Sequence, residues 1–517
     1  MTINSKLAFS RRQLLKVSTG FSAGAFLTPG LSGCAPKIDT KVIRMGVTSR
    51  PQMLDPRKAT DALSSRINRL IYRQLIDFDA QFQPKPDLAD WQQLSPLHYR
   101  FNLHAGSVFH NGSALGAEDV VATYQSVLDP DFGSAHSGSL KGIERIESNA
   151  PNQVDFILKT ADPLFVGRLV IGILPKRLIE SDHKFQETPI GSGPCRFVSL
   201  NEQKLVLKRT DEVELHFIPV KDATVRVLKL QKGELDMVQN DLSPELVHYS
   251  ENQPELNVNW QNGTNFGYVG FNFEDPLLSQ LAIREAISLG IDRQAIIDAI
   301  FDGHARLAGG LLVPEHWCGV PEINGFEFNP EKAKALLKQA QIPPGLVNSD
   351  GQLEFSYKTS NDPTRIRLAT IYQSQLKKIG IHLNVQSYDW GTFYNDIKKG
   401  RFQMYSLAWV GIKSPDIFQY VFASNAIPPD GANRGRYRDA KADQLIQQGL
   451  QQTAMEEQAQ TYRDLQVHLQ ATLAVMPLWY EDQYTVSRVE LTGYQLHNDG
   501  RLDGLLSVVK SAEAVRT

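Results

Sequence analysis

The chain has 517 residues, 42% of them hydrophobic and 21% charged, which excludes global disorder and a peptide-sized scaffold. Its 54 basic and 57 acidic residues leave a formal charge of −3 with no long basic run, so a nucleic-acid partner is not expected. Past the first 40 residues no stretch approaches the ~18 uninterrupted apolar residues of a spanning helix, which argues against a polytopic membrane protein.

The N-terminal segment reads as an address. Arg11 and Arg12 precede Gln13-Leu14-Leu15-Lys16 and resemble the twin-arginine export pattern, with Leu14 where that pattern has Phe. A moderately apolar run follows from Val17 to Leu27, and Leu31-Ser32-Gly33-Cys34 resembles the bacterial lipoprotein box. Residues 1–33 are thus expected to be a signal peptide and Cys34 the lipidated N-terminus; the alternative is an ordinary signal peptide with an incidental thiol. Cleavage removes Lys6, Arg11, Arg12 and Lys16 and no acid, taking the formal charge to −7. Cys195 and Cys318 remain, and two buried free thiols are expected in preference to a disulfide.

In the mature chain, Lys41–Val47 alternates as a strand. The turn Leu54-Asp55-Pro56 leads to a helix capped near Asp61, with Leu63, Ile67, Leu70, Ile71 and Leu75 on one stripe. Strand-like runs at Tyr99–Leu103 and Val154–Leu158 bracket a helix from about Ala117. Asn329-Pro330 and Asp362-Pro363 each place a capping side chain before a Pro at the first helical position. The second helix runs to Gly380, and Ile381, Leu383 and Val385 then alternate as a strand. The same order recurs at Thr392–Lys399, Gly400 and Phe402–Trp409. Helical patterns near Lys441–Leu450 and Met455–Thr472 precede the strand-like Pro477–Tyr480. The fold class expected is α/β (mixed α+β), a mixed sheet with helices on its faces.

Motifs of catalysis are missing. The one Gly-x-Ser-x-Gly match, Gly20 to Gly24, lies in the cleaved leader. No His-Glu-x-x-His, phosphate loop or paired Cys-x-x-Cys occurs, and His98, His104 and His110, six residues apart, fit neither face of a regular element. No cofactor, no metal and no enzyme activity are expected. A carboxylate pair assembled by folding would not be visible, which leaves an exported hydrolase as the alternative.

Several stretches are similar to the family-5 extracellular solute-binding proteins of ABC importers. Phe109-His110-Asn111-Gly112-Ser113-Ala114-Leu115-Gly116-Ala117-Glu118-Asp119-Val120-Val121 resembles the signature Phe-His-Asp-Gly-x-x-hydrophobic-x-Ala-Glu-Asp-Val. Gly191-Ser192-Gly193-Pro194-Cys195 resembles Gly-Thr-Gly-Pro-Tyr with Cys replacing the aromatic. Tyr268-Val269-Gly270-Phe271-Asn272, Ile283-Arg284-Glu285-Ala286-Ile287 and Gly290-Ile291-Asp292-Arg293 resemble the Gly-Phe-Asn strand and its helix pair. These blocks also have scaffold explanations: Glu118 and Asp119 at a helix start, a tight Gly-rich turn needing positive φ, and Asp292 as an N-cap.

The resemblance implies a type II periplasmic-binding-protein fold, two main lobes plus an inserted third around a ligand cleft. Lobe I would comprise 34–72, 188–268 and 477–517; lobe II, 73–187; lobe III, 269–476. It further implies capture of a peptide-like or opine-like solute by lobe closure and delivery to a permease in the cytoplasmic membrane, by a periplasmic or extracytoplasmic, membrane-anchored monomer. The same fold used as a chaperone or signalling receptor is the other alternative. The ligand segments implied are Thr60-Asp61-Ala62 and Ala408-Trp409-Val410, pairing with a peptide backbone, with Trp409 as a rigid apolar wall or, as the alternative, a core tryptophan. Peptide binders of the family carry an Asp three residues after that Trp to meet the ligand's amino terminus; here Ile412 stands there, followed by Lys413. Asp416 either takes over that charge or caps the helix-like Ile417–Phe422. Arg434 and Arg436 are candidate carboxylate partners, with a solvated loop as the alternative. Tyr268, Tyr388 and Trp390 are candidate aromatic lining.

Overall fold

The computed structural model describes residues 39–343 and 345–511. The leader and Cys34 lie outside them. Capping side chains set the helix starts where the sequence placed them. Asp61 Oδ1 accepts from the Ser64 amide at 2.9 Å and opens Ala62–Ile71, whose Ile67, Leu70 and Ile71 are buried. Asn329 and Asp362 accept from the Lys332 and Arg365 amides, and Asp292 from that of Ala295. Such a cap is worth ~1 kcal/mol because it satisfies an amide that has no partner within the helix.

Among the described residues one 11-stranded sheet spans the molecule, in the order 381–388, 353–360, 404–409, 256–271, 476–488, 237–239, 42–47, 214–219, 205–209, 195–200, with 305–307 also on 476–488. Two long strands, Leu256–Phe271 and Met476–Arg488, pair antiparallel at its centre, with an irregularity between Gln261 and Asn265. The run expected at Pro477–Tyr480 is thus the start of a much longer strand. A separate antiparallel sheet holds 89–95, 98–103, 153–158 and 143–150.

Apolar packing divides accordingly. Phe101, Tyr124, Phe156 and Phe165 cluster on the four-stranded sheet, with Leu169 and Ile171 beside them. Ile43, Ile67, Leu70, Ile71 and Phe217 form a second cluster around Val42–Val47. Residues between 269 and 480 supply most of two more, one around Ile287 and Phe355, the other around Tyr405, Phe418 and Tyr462, which Phe82, Phe266 and Tyr268 join.

Two expectations about individual residues meet different outcomes. Cys195 and Cys318 are both free and buried, and burial pushes both thiols up, that of Cys195 to about 12. The Gly191–Gly193 turn, expected to need positive φ, does not use it. Glycine is required there by close approach: a Cβ on Gly191 would stand 2.0 Å from the Ile71 carbonyl oxygen, and one on Gly193 2.5 Å from the Ile71 carbonyl carbon. The Gly193 amide donates to that same oxygen at 2.8 Å, tying the turn to the end of the helix Ala62–Ile71.

Candidate functional site

A cavity of about 670 Å³ lies where three segments of separate origin meet. Thr60, Ala62, Arg66 and Arg69 come from the capped helix and its approach. Gly167, Val170, Ile171 and Gly172 come from the short turn beside the four-stranded sheet. Val410 to Ser414 and Asp416 come from the loop after the strand Met404–Trp409, and Asp499 and Arg501 complete the wall. A second cavity of about 900 Å³ shares Ala62, Arg66 and Val410 with it and extends along Asp61, Asn240, Asp241, Trp260, Glu481 and Gln483.

The smaller cavity is built on a ladder of charges. Lys413 Nζ sits 2.8 Å from Asp499 Oδ2, and Arg501 Nε donates to Asp499 Oδ1 at 3.1 Å. Arg501 reaches Asp77 at 3.1 Å, and Arg69 joins Asp77 at 3.2 Å to Asp503 at 2.9 Å. Three cations thus share three carboxylates. Burial alone would raise the Asp499 carboxyl, but Lys413 and Arg501 hold it far below the usual range. Burial lowers the Lys413 ammonium while Asp499 opposes the shift.

Beneath Lys413 lies His316, 4% exposed, stacked on Phe82 at 5.4 Å between ring centroids. Its Nδ1 accepts from the Cys318 amide at 3.2 Å, which assigns the proton to Nε2, facing the Lys413 carbonyl at 3.2 Å. Burial drives its pKa from 6.5 to about 4, against the smaller pull of that carbonyl. An unfolded chain takes a proton here near 6.5 and the folded one holds off until about 4, so stability is intact above 6.5 and falls as pH drops between the two values. The loss amounts to about 3 kcal/mol. Urea melts from pH 7 to 4 should show it in the native protein and not in His316→Gln; parallel pH profiles would contradict the assignment.

Residues 83–428 match the family model for "Bacterial extracellular solute-binding proteins, family 5 Middle". The chain belongs to the bacterial extracellular solute-binding proteins of family 5. This family-5 protein is 27% identical over 478 residues to the probable di/tripeptide-binding protein 5 of Pseudomonas aeruginosa, covering 84% of this chain and 89% of the relative. In fold it is similar to NikZ from Campylobacter jejuni, solved with Ni(L-His), at TM-score 0.77 and 24% identity, covering 92% and 100% of the two chains. It is likewise similar to the oligopeptide-binding protein AppA of Bacillus subtilis, solved with a nonapeptide, at TM-score 0.75 and 23% identity, covering 91% and 99%.

Of the residues singled out in the sequence, Thr60, Ala62, Val410 and Asp416 line the smaller cavity, and Asp61, Ala62 and Val410 the larger. Asp416 stands at the N-cap position of Ile417–Phe422 but caps no amide; its carboxylate pairs with Arg168, which also holds Asp162 at 2.8 Å. The capping role is therefore not made. Ala408 pairs with Gly267 and Trp409 with Phe266 across the sheet. Trp409 lies 4.6 Å under the Arg434 guanidinium and lines neither of these cavities.

Arg434 does not reach them either. It is 8% exposed and donates to Tyr268 Oη at 3.1 Å and Tyr394 Oη at 3.2 Å, an arrangement in which phenols and an indole face replace a carboxylate partner. Tyr268 is buried against Phe266 and Tyr405. Arg436 pairs with Glu274 at 3.4 Å, Tyr388 donates to Gln386 Oε1 at 3.3 Å, and the exposed Trp390 stacks on Tyr394. Sequence reasoning missed Arg66, Arg69, Asp499 and Arg501, which read there as ordinary polar positions. His98, His104 and His110 each have a partner of their own: Asp155, Asp90 and the Gly193 carbonyl. Among the described residues, His248, Glu251 and Asp302, all exposed, offer ligand atoms within 4.8 Å of one another on the rim of the larger cavity.

Proposed function

We propose that this protein is the solute-capturing component of an ABC importer, closing around a peptide-like or opine-like cargo and passing it unaltered to a permease. One observation carries the reading. The smaller cavity is walled by Thr60–Arg69, Gly167–Gly172 and Val410–Asp416, and each segment is rooted in a different apolar cluster, through Ile67 and Leu70, Phe165 and Leu169, and Phe418 respectively. A cargo touching all three walls binds the closed arrangement better than an open one, and that difference in affinity is what drives closure. The three lobes are those bounded at 72/73, 187/188, 268/269 and 476/477, crossed by the strands Leu256–Phe271 and Met476–Arg488. The protein's likeness to a probable di/tripeptide-binding protein and to an oligopeptide-binding protein solved with a nonapeptide favours peptides.

Native mass spectrometry of the protein mixed with a synthetic pool of dipeptides to pentapeptides tests this directly. Retention of pool members at unchanged mass is the expected result; an empty protein, or cleaved peptides, would overturn it. The protein is further proposed to work as a monomer, extracytoplasmic and anchored through lipidated Cys34. Several acyl chains hold a domain at a membrane where one does not. Cys34→Ala should move the protein from the membrane to the soluble fraction, and unchanged sedimentation with membranes would refute the anchor.

A further inference from the structure

Arg66 occupies the junction of the two cavities and lines both. It projects from the second turn of the helix Ala62–Ile71 and is half-buried. Every other buried or half-buried Lys or Arg on these walls is matched: Arg69 by Asp77 and Asp503, Arg501 and Lys413 by Asp499, Arg365 by Glu481, and Arg226 by the Val220 and Lys221 carbonyls. Among the described residues Arg66 has no hydrogen bond and no ion pair. Asp241, whose carboxyl burial raises while Arg226 and Arg66 pull it down, stays outside ion-pair distance of it.

The side chain nearest to it at Gly500 is that of Gln483, which presents its oxygen there. The amide of Tyr484 donates to Asn240 Oδ1 at 3.0 Å, which fixes the Asn240 side chain so that its Nδ2 donates to Gln483 Oε1 at 2.6 Å. Gln483, fully buried on the strand Met476–Arg488, therefore turns its Nε2 away with no acceptor. Both side chains lie against the same face of Gly500. A Cβ there would stand 2.6 Å from Gln483 Oε1 and 2.8 Å from Arg66 Nη2, and only glycine leaves them that space. A guanidinium fork left without a partner in a cavity wall is the group best matched to a carboxylate.

We infer that Arg66 is the anchor for a carboxylate of the cargo, so that the protein selects solutes with a free acid group. This deepens the solute-capture reading and rests on it.

The test uses the full chain and peptide pools built from Ala, Gly, Leu and Phe, supplied as free acids and as C-terminal amides, with a third pool of amides carrying one Glu. Titrations of the native protein should favour the free acids at least tenfold over the plain amides, as expected when a fixed polar group is left unmet. Arg66→Gln, which breaks no hydrogen bond and no ion pair and should melt close to the native protein, should bind acids and amides equally. Arg66→Lys should keep part of the preference. Binding of the Glu amides near the level of the free acids also supports the anchor and assigns it to side-chain carboxylates. Equal binding of acids and plain amides by the native protein, or an acid preference that survives in Arg66→Gln, would overturn the assignment while leaving solute capture standing. Failure of all three pools to bind would remove peptide capture itself, and the anchor with it.

Discussion

Asp499→Asn should destabilise the protein by about 3–5 kcal/mol, because it leaves Lys413 and Arg501 facing each other in a buried wall without the carboxylate they share. The Asp499 side chain is only 4% exposed, so water does not replace the lost charge. Arg501 keeps Asp77 and Asp503, which it shares with Arg69, but among the described residues Lys413 has no other carboxylate. Removing the excess cation as well, in Asp499→Asn with Lys413→Met, should restore much of the loss, since the damage comes from an unpaired charge and not from a missing attraction. Denaturant melts of the four proteins of this cycle measure it. A loss under 1 kcal/mol in the single variant, or no recovery in the double, would mean the ladder is solvated.

Gly191→Ala should be of similar severity, about 3 kcal/mol or more, and for a different reason. The new methyl would fall 2.0 Å from the Ile71 carbonyl oxygen and 2.7 Å from the Tyr72 ring. The oxygen is backbone at the end of a packed helix and already accepts the Gly193 amide, so it cannot yield without moving the turn or the helix. Gly138→Ala is the control. No heavy atom lies within 4 Å of a Cβ there and its φ is not left-handed, so that variant should melt with the native protein or slightly above it. Equal melting of the two variants would contradict close packing at residue 191.

The contrast between these positions shows what a sequence can and cannot carry. Helix starts were legible because a cap is local: Asp61, Asp292, Asn329 and Asp362 each act on an amide three residues away. The need for glycine at 191 and 193 was legible, but its cause was not, since the obstruction comes from a carbonyl 120 residues earlier, at Ile71. The same holds at the site. Thr60, Ala62, Val410 and Asp416 were found through a family pattern, and they meet in one cavity. Arg434 was read as a candidate carboxylate partner or as part of a solvated loop. In the structure it is enclosed by Tyr268, Tyr394 and Trp409, partners that only the packing of the sheet against its neighbouring loop brings together. Arg66 carried no signal at all, because its significance is the lack of a counter-ion, which only the folded arrangement of the cavity walls reveals.

Closure around cargo is the claim on which the functional account stands, and X-ray scattering in solution tests it most directly. The full chain, measured alone and then saturated with the free-acid peptide pool, should show a smaller radius of gyration in the presence of peptide, with Arg66→Gln lagging behind at equal concentration. Superimposable curves for the empty and the peptide-saturated protein, with binding established on the same sample by titration, would contradict it.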